Sequence, residues 1–288
     1  TSSQAAALLD SPTKSEPAPE APGDVLFSES FAPGAPLGIT MTDAGDVFVA
    51  DLFSGETVRY DEDLNLVETI NHPTGTAATA GVAYDSQNGT LWWLNGDTNE
   101  LVEGDFSGTA TGNTIPVTVG ASGNPSAGVE YDPQTDLFFY LDIASDDIYA
   151  VDRSGNVADG YPVPQTDYDD GSGLSGNGLD VVGGLLDVLV GLSDEEQVTR
   201  SVVTNKLGSN TGPETPIGAT GDTFVNDVVR SRLDPNGVMY VVGNSTSTIY
   251  AVEPAEADVS AFPSWLSIDA TSGTIAPGES QDLTVTFD

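Results

Sequence analysis

The stretch AGVAYDSQNGTLWWLNGDTNELVEGDF, residues 80–106, indicates the fold class. It reads as a strand of small residues, a polar turn, a strongly apolar strand, a second polar turn and a strand of alternating character. Short apolar runs bounded by Asn, Gly and Asp are typical of β-strands joined by tight turns. Between residues 24 and 254 no window of about 12 residues keeps a helical period, so the sequence predicts strands only.

The same order of strands and turns recurs in five units. Their first turns fall at Asp43, Asp85, Asp132, Gly183 and Asp234, at spacings of 42, 47, 51 and 51 residues. A period of about 40–50 residues with four strands per unit is the signature of a β-propeller. The segment 25–31, VLFSESF, precedes the first unit and is expected to supply the outer strand of the last. The sequence therefore predicts an all-β propeller, with five blades favoured and a sixth left open if loops between 203 and 224 hide a unit.

The character of each strand predicts its place in a blade. The second strands are strongly apolar, as expected between two neighbouring blades. The first strands carry Gly and Ala near their starts, where blades crowd together at the axis. The third strands alternate, which predicts one face toward solvent.

Two stretches resemble known families. The units, over roughly 25–254, resemble the YD-x-x-x-G-x-L blades of the NHL, strictosidine-synthase-like and related six-bladed families, without any catalytic set of theirs. The tail 263–288, PSWLSIDATSGTIAPGESQDLTVTFD, resembles the opening of BACON- and ASH-type immunoglobulin-like modules of bacterial surface proteins. Its matching positions are Trp265, Leu266, Gly273, Ile275, Pro277, Gly278 and Leu283, whereas Ala270 stands where Pro is usual. The expected organisation is a leader (1–23), the propeller (24–254), a linker (255–262) and the first strands of an immunoglobulin-like module (263–288).

Composition limits the partners and the kinds of chemistry that are open to the protein. The chain has 45 Asp and Glu against 7 Lys and Arg, a net charge of −38, which argues against nucleic-acid backbones and anionic membranes as partners. Such an excess of acidic residues also predicts a protein that stays soluble in high or marine salt, where screening weakens its self-repulsion. The alternative is an acidic secreted domain without such an adaptation. Cysteine is absent, which excludes disulfides and thiolate chemistry, and His72 is the only histidine. The first residue, Thr1, fits a mature secreted chain or an expression fragment.

Three carboxylates are candidates for chemistry at the propeller axis. The first strands are expected to reach the axis at Gly38, Gly81, Gly128, Asn177 and Asn226–Asp227. The nearby acids are Glu130, Asp180 and Asp227, one on each of three blades, and such a set is able to cleave glycosides by acid and base catalysis. The favoured interpretation is structural, with Asp180 and Asp227 accepting hydrogen bonds from amides of the next blade.

Other candidate sites are weaker. Asp167, Asp169 and Asp170 lie in a Gly-rich loop that is a candidate Ca²⁺ site, and the DEDLN stretch, residues 61–65, has part of the spacing of a calcium loop. No other cofactor is expected. Asn88 and Asn244 begin acceptor sequons for N-glycosylation. His72 is expected to be structural, and Trp92 and Trp93 are expected in the core rather than stacked on a sugar.

The sequence favours a secreted or cell-surface protein without enzymatic activity. We expect a structural or interaction module whose partners are copies of itself or surface proteins and glycans. The leader and the tail are expected to build an extracellular filament or surface assembly, in which one of them completes a sheet of a neighbouring subunit. The apolar residues of these segments are Leu283, Val285, Phe287, Leu8 and Leu9. The alternatives are a glycoside hydrolase or lactonase that uses the axial carboxylates, and a Ca²⁺-dependent adhesion or glycan-binding module.

Overall fold

Twenty-two β-strands and one short 3-10 turn, Gly218–Thr220, form the regular structure of the described residues. The computed structural model describes residues 21–75, 79–117, 128–142, 145, 147–164, 178–182, 185–190, 197–202, 214–222, 225–233, 238–255, 266–268 and 285–287. Within these ranges no helix has the length and hydropathy needed to cross a membrane.

Five four-stranded antiparallel sheets contain the first twenty strands. Sheet 1 has β2 (Pro36–Met41), β3 (Val47–Asp51), β4 (Glu56–Tyr60) and β5 (Leu66–Asn71). Sheet 2 has β6 (Thr79–Asp85), β7 (Thr90–Asn95), β8 (Glu100–Gly104) and β9 (Ala110–Pro116). Sheet 3 has β10 (Val129–Asp132), β11 (Leu137–Asp142), β12 (Asp147–Val151) and β13 (Val163–Pro164). Sheet 4 has β14 (Leu179–Val182), β15 (Leu185–Val190), β16 (Gln197–Val202) and β17 (Glu214–Pro216). Sheet 5 has β18 (Val225–Arg230), β19 (Met239–Gly243), β20 (Thr248–Val252) and, as its outer strand, β1 (Val25–Ser30).

The first strands of the five sheets surround a common axis. β2 contacts β6, β6 contacts β10, β10 contacts β14, β14 contacts β18, and β18 contacts β2 again. The segment predicted to serve the last unit is β1, which pairs antiparallel with β20 and sets Val25 opposite Val252. The all-β propeller predicted from the repeat is confirmed.

The core lies between neighbouring sheets. The second strands β3 and β19 are buried at every position, and β7 and β11 at every position after the first, as their apolar sequences predict. The prediction of a half-exposed third strand is wrong, because β12 and β20 are buried at four of five positions. Neighbouring sheets cover both faces of the third strand, so solvent reaches mainly the fourth: β5 is exposed at five of six positions.

The tail contributes two described strands. β21 (Leu266–Ile268) and β22 (Val285–Phe287) pair antiparallel, with Leu266 opposite Phe287, and form a separate two-stranded sheet. Of the residues expected to take part in assembly, Val285 and Phe287 lie in β22. Leu8, Leu9 and Leu283 lie outside the described residues.

Candidate functional site

Four glycines and one aspartate form a ring where the five first strands meet. There is one from each sheet: Gly38, Gly81, Gly128, Gly178 and Asp227. A Cβ atom on Gly38 would lie 2.5 Å from the Cα of Gly81, and one on Gly178 would lie 2.4 Å from the Cα of Asp227. The backbones therefore approach too closely for side chains, which explains the glycines predicted for the axis. In the fourth sheet the axial residue is Gly178, one position after the predicted Asn177, which lies outside the described residues.

Asp227 fills this ring with its carboxylate. Oδ2 accepts a hydrogen bond from the amide of Ile39 at 2.9 Å, and Oδ1 accepts from the amides of Leu179 at 3.2 Å and Val228 at 3.0 Å. The side chain is fully buried, and burial raises its pKa well above the usual value, with the charge of Glu130 adding to the rise. One carboxylate thus ties β2 of sheet 1 and β14 of sheet 4 to β18 of sheet 5.

Asp180 and Glu130 meet at a single guanidinium. Arg232 follows β18 and donates from Nη2 to Asp180 Oδ1 at 2.6 Å and from Nη1 to Asp180 Oδ2 at 3.2 Å. Its Nη2 lies 3.4 Å from Glu130 Oε1. The amide of Arg230 also donates to Asp180 Oδ2, at 2.8 Å. The side chains of both acids are at most 1% exposed and that of Arg232 is 11% exposed.

A threonine of sheet 1 extends the network to sheet 2, the one sheet not yet included. The Thr40 hydroxyl donates to Glu130 Oε2 at 2.9 Å and accepts from the amide of Tyr84 at 3.2 Å. Read in order, the chain of contacts runs from β6 through β2 and β10 to Arg232, two residues after β18, and then to β14. We call Thr40, Glu130, Asp180, Asp227 and Arg232 the axial network; it contacts the first strand of every sheet.

Electrostatics make this network chemically distinctive. Burial raises the pKa of Glu130 to about 8, and the negative charge of Asp180 contributes, while Arg232 and Thr40 act in the opposite direction. Glu130 therefore holds a proton more readily than an ordinary carboxyl group. Burial lowers the pKa of Arg232, but Asp180 and Glu130 outweigh it, and the net shift is upward. The network holds an Arg232–Asp180 ion pair beside a carboxyl group whose pKa is raised.

The described geometry fits a structural role better than a catalytic one. A hydrolase needs its carboxylates to reach both substrate and water. Here the oxygen atoms of Glu130, Asp180 and Asp227 contact donors from the protein itself, and the side chains are closed to solvent. The arrangement can hold five sheets together and can store a proton on Glu130.

Many other aspartates cap turns. Asp85 Oδ1 accepts from the amides of Gln87 and Asn88 at 3.0 and 3.2 Å, and Asp132 Oδ1 accepts from the amide of Gln134 at 3.1 Å. The strand-end acids Asp51, Asp85, Asp132 and Asp142 are at most 1% exposed. Part of the acidic composition that suggested a solvated surface is therefore buried turn chemistry.

The candidate calcium positions divide into two groups. In the DEDLN turn, Asp61 accepts from the amides of Asp63 and Asn65 and from the Asn65 side chain, so its oxygen atoms stabilise the turn. Asp167, Asp169 and Asp170 lie outside the described residues. Across the described ranges no group of three or more acidic or histidine side chains is arranged to hold a metal ion.

The single histidine and the adjacent tryptophans belong to the core. His72 is 4% exposed, its ring centroid lies 6.3 Å from that of Trp93, and burial lowers its pKa to about 4. Trp93 donates from Nε1 to the Thr57 hydroxyl at 2.8 Å, and Trp92 packs on Phe138 with ring centroids 5.1 Å apart. Both tryptophans are buried, which leaves neither ring free to stack on a sugar.

Both sequons lie in turns between strands. Asn88 is exposed in the β6–β7 turn, where its Nδ2 donates to Asp85 Oδ2 at 2.8 Å, and the Thr90 hydroxyl donates to Glu103 at 2.8 Å. Asn244 lies in the β19–β20 turn, whose Thr246 hydroxyl donates to Asp222. In the folded protein the Asn88 amide and the hydroxyls of Thr90 and Thr246 are therefore already hydrogen-bonded.

Sequence reasoning named the three axial acids but missed Arg232 and Thr40. A signal for Arg232 was present, because two of only 7 basic residues stand together at the end of a first strand, in Arg230-Ser-Arg232. Thr40 carried no signal, since its partner Glu130 is 90 residues away in the chain.

Comparisons with known proteins show the fold. No family model matches the chain, and no curated protein matches it. Among solved structures, glutaminyl cyclase from Myxococcus xanthus is 14% identical with a TM-score of 0.57, over 81% of this chain and 96% of the cyclase. Virginiamycin B lyase from Staphylococcus aureus is 16% identical with a TM-score of 0.45, over 76% of this chain and 66% of the lyase. The Cps50 (Swd1) β-propeller domain from Myceliophteria thermophila is 8% identical with a TM-score of 0.49, over 81% of this chain and 100% of that domain. This chain therefore spans slightly less than two thirds of the lyase. These neighbours are β-propeller proteins.

Proposed function

We propose that the protein is a non-catalytic β-propeller that serves as a rigid structural or interaction module. The observation that supports this most is the axial network, in which three carboxylates that would have to act on a substrate instead bind backbone amides, Arg232 and Thr40. Fully buried polar networks of this kind specify packing. A scaffold benefits from it because one connected set of hydrogen bonds fixes five sheets at once.

The test compares activity and stability in the same variants. We expect no turnover of glycoside or lactone substrates by the wild-type chain, and we expect Asp227→Asn to lower the free energy of unfolding. Thr69→Asn, an exposed change on β5, is the control for stability. Turnover that is lost in Glu130→Gln and Asp227→Asn, while both variants stay folded, would overturn the proposal.

The second candidate is a propeller enzyme, and one observation favours it. Glu130 has a pKa of about 8, the property of a general acid at neutral pH. The fold neighbours include a lyase and a cyclase, but identities of 14–16% carry only the fold. Catalysis would require the strands around Arg232 to open, and a bell-shaped pH profile of turnover with one limb near pH 8 would support it.

We further propose the finer architecture and setting. The cyclic contacts of the five first strands support a five-bladed ring, closed by β1, over residues 24–254. The leader (1–23), the linker (255–262) and an immunoglobulin-like segment (263–288) complete the proposed organisation. The acidic balance supports a secreted or cell-surface location in a salt-rich medium, with other copies, surface proteins or glycans as partners.

A further inference from the structure

The outer strands of the five sheets differ in how well they resist strand addition. An edge strand presents unpaired backbone groups, and proteins blunt it with short length, Pro, Gly or bulges. β13 and β17 have two and three residues, and each ends in Pro. β9 contains Gly112 at φ 93°, and β1 has an irregular register between Val25 and Phe27.

β5 has only one of these protections, a register irregularity near its start, where Leu66 pairs with Tyr60 and Glu68 pairs with Arg59. It has six residues, LVETIN, with neither Gly nor Pro. Leu66 and Val67 are 66% and 49% exposed, although both are large and apolar. A long edge with exposed apolar side chains is a template for another strand.

The charge near this edge makes contact between copies depend on salt. In a chain of net charge −38, most surfaces of two copies repel one another. On β5 the only acid is Glu68, which shares Arg59 with Asp46, and the acidic stretch 61–63 stands in the turn just before the strand. Salt that screens these charges is therefore expected to favour the approach of a second acidic chain.

Among the described residues, one strand pair is not part of a larger sheet. β21 and β22 pair with each other and with no other described strand. A two-stranded sheet alone is marginally stable in water and gains stability when a third strand joins it. The residues around β22, LTVTFD, alternate apolar and polar positions as a sheet strand requires.

We propose that the β21–β22 sheet of one copy adds to β5 of a second copy and so extends sheet 1. This inference rests on the proposed interaction function and names its surface and its partner. The donor sheet and the acceptor strand are different surfaces of each copy. Repeated addition is therefore head-to-tail and generates an open filament unless the rotation closes a ring.

The first experiment measures mass by light scattering and sedimentation at about 0.1 M and about 1 M salt, where the Debye length falls from roughly 10 to 3 Å. We expect association that strengthens with salt. Leu66→Asp with Val67→Asp, and separately Val285→Asp with Phe287→Asp, should each weaken it at least tenfold. The matched control is Phe53→Asp with Leu233→Asp, which adds the same charge at turn residues 72% and 51% exposed; it should associate like the wild type. Far-ultraviolet circular dichroism checks that every variant is folded.

The second experiment uses the absence of cysteine. Thr69→Cys in one preparation and Thr286→Cys in another are mixed and oxidised, and a mixed disulfide dimer is expected. Thr69→Cys mixed with Ser107→Cys, an exposed turn position of sheet 2, should give none.

Three outcomes would overturn the proposal: a monomer at every salt concentration, association that survives the β22 changes, or association that survives the β5 changes. None of these bears on turnover, so a failure here is distinguishable from a failure of the non-catalytic assignment.

Discussion

Replacing Arg232 with methionine tests whether the axial network stabilises the propeller. Methionine keeps the unbranched apolar stem of the side chain but removes the guanidinium that contacts Asp180 at 2.6 Å and Glu130 at 3.4 Å. Removing one partner of a buried ion pair costs about 3–5 kcal/mol, because the other charge stays buried without compensation. Since Arg232 retains some contact with water, we expect about 3 kcal/mol. For a chain of this size the melting temperature should fall by roughly 6–12 °C.

Urea unfolding followed by tryptophan fluorescence measures this change, because Trp92 and Trp93 are buried in the native state. The control is Arg59→Met, whose ion pairs with Asp46 and Glu68 are partly exposed and should contribute less than about 1 kcal/mol. The Arg232→Met deficit should also shrink as pH falls from about 8 to 5, because Glu130, whose pKa burial raises to about 8, then loses its charge. If Arg232→Met and Arg59→Met have the same free energy of unfolding, the axial network is not a stabilising element.

Three further predictions follow from burial and close packing. Glu130 has a pKa of about 8 in the fold and near 4.5 in the unfolded chain, so its contribution to folding falls as pH rises through that window. In urea titrations the free energy of unfolding of Glu130→Gln should therefore rise by about 1–3 kcal/mol relative to that of the wild type between pH 5 and 8. His72 has a folded pKa lowered to about 4, so stability is lost as pH falls from about 6.5 toward 4, and His72→Gln should flatten this part of the acid-unfolding curve. Gly178→Ala would set a Cβ 2.4 Å from the Cα of Asp227 and should cost about 3 kcal/mol or more, whereas Gly75→Ala, in open space at φ 61°, should cost only about 1–2 kcal/mol by thermal unfolding.

The sequence pattern predicted those features of the fold that depend on residues close together in the chain. Strand order, the glycines at the axis and the outer strand at 25–31 follow from alternation, turn residues and the repeat, which depend on neighbours in the chain. The acids Glu130, Asp180 and Asp227 were found for the same reason, as exceptions to small and apolar first strands. The network that joins them was not, because Arg232 lies 52 residues beyond Asp180 and only the closed ring brings them together.

The burial of the third strands was missed for a similar reason. Alternation along β12 or β20 describes one strand and carries no information on a sheet that covers its second face. The turn-capping aspartates also looked like surface charge, because composition does not separate an exposed carboxylate from one that accepts amide hydrogen bonds, as Asp85 does.

The pairing of β1 with β20 affects the order in which the protein is able to fold during synthesis. Val25 lies opposite Val252, so its partner emerges 227 residues later. At about 5–20 residues per second, the ribosome needs roughly 10–45 s to supply it. Sheet 5 is completed only at the end of this interval, and until its strands arrive the sheet 1 surface that it covers faces water. The nascent chain is therefore most vulnerable to aggregation just before the ring closes, and a circular permutant that opens the chain between two sheets would shorten that wait.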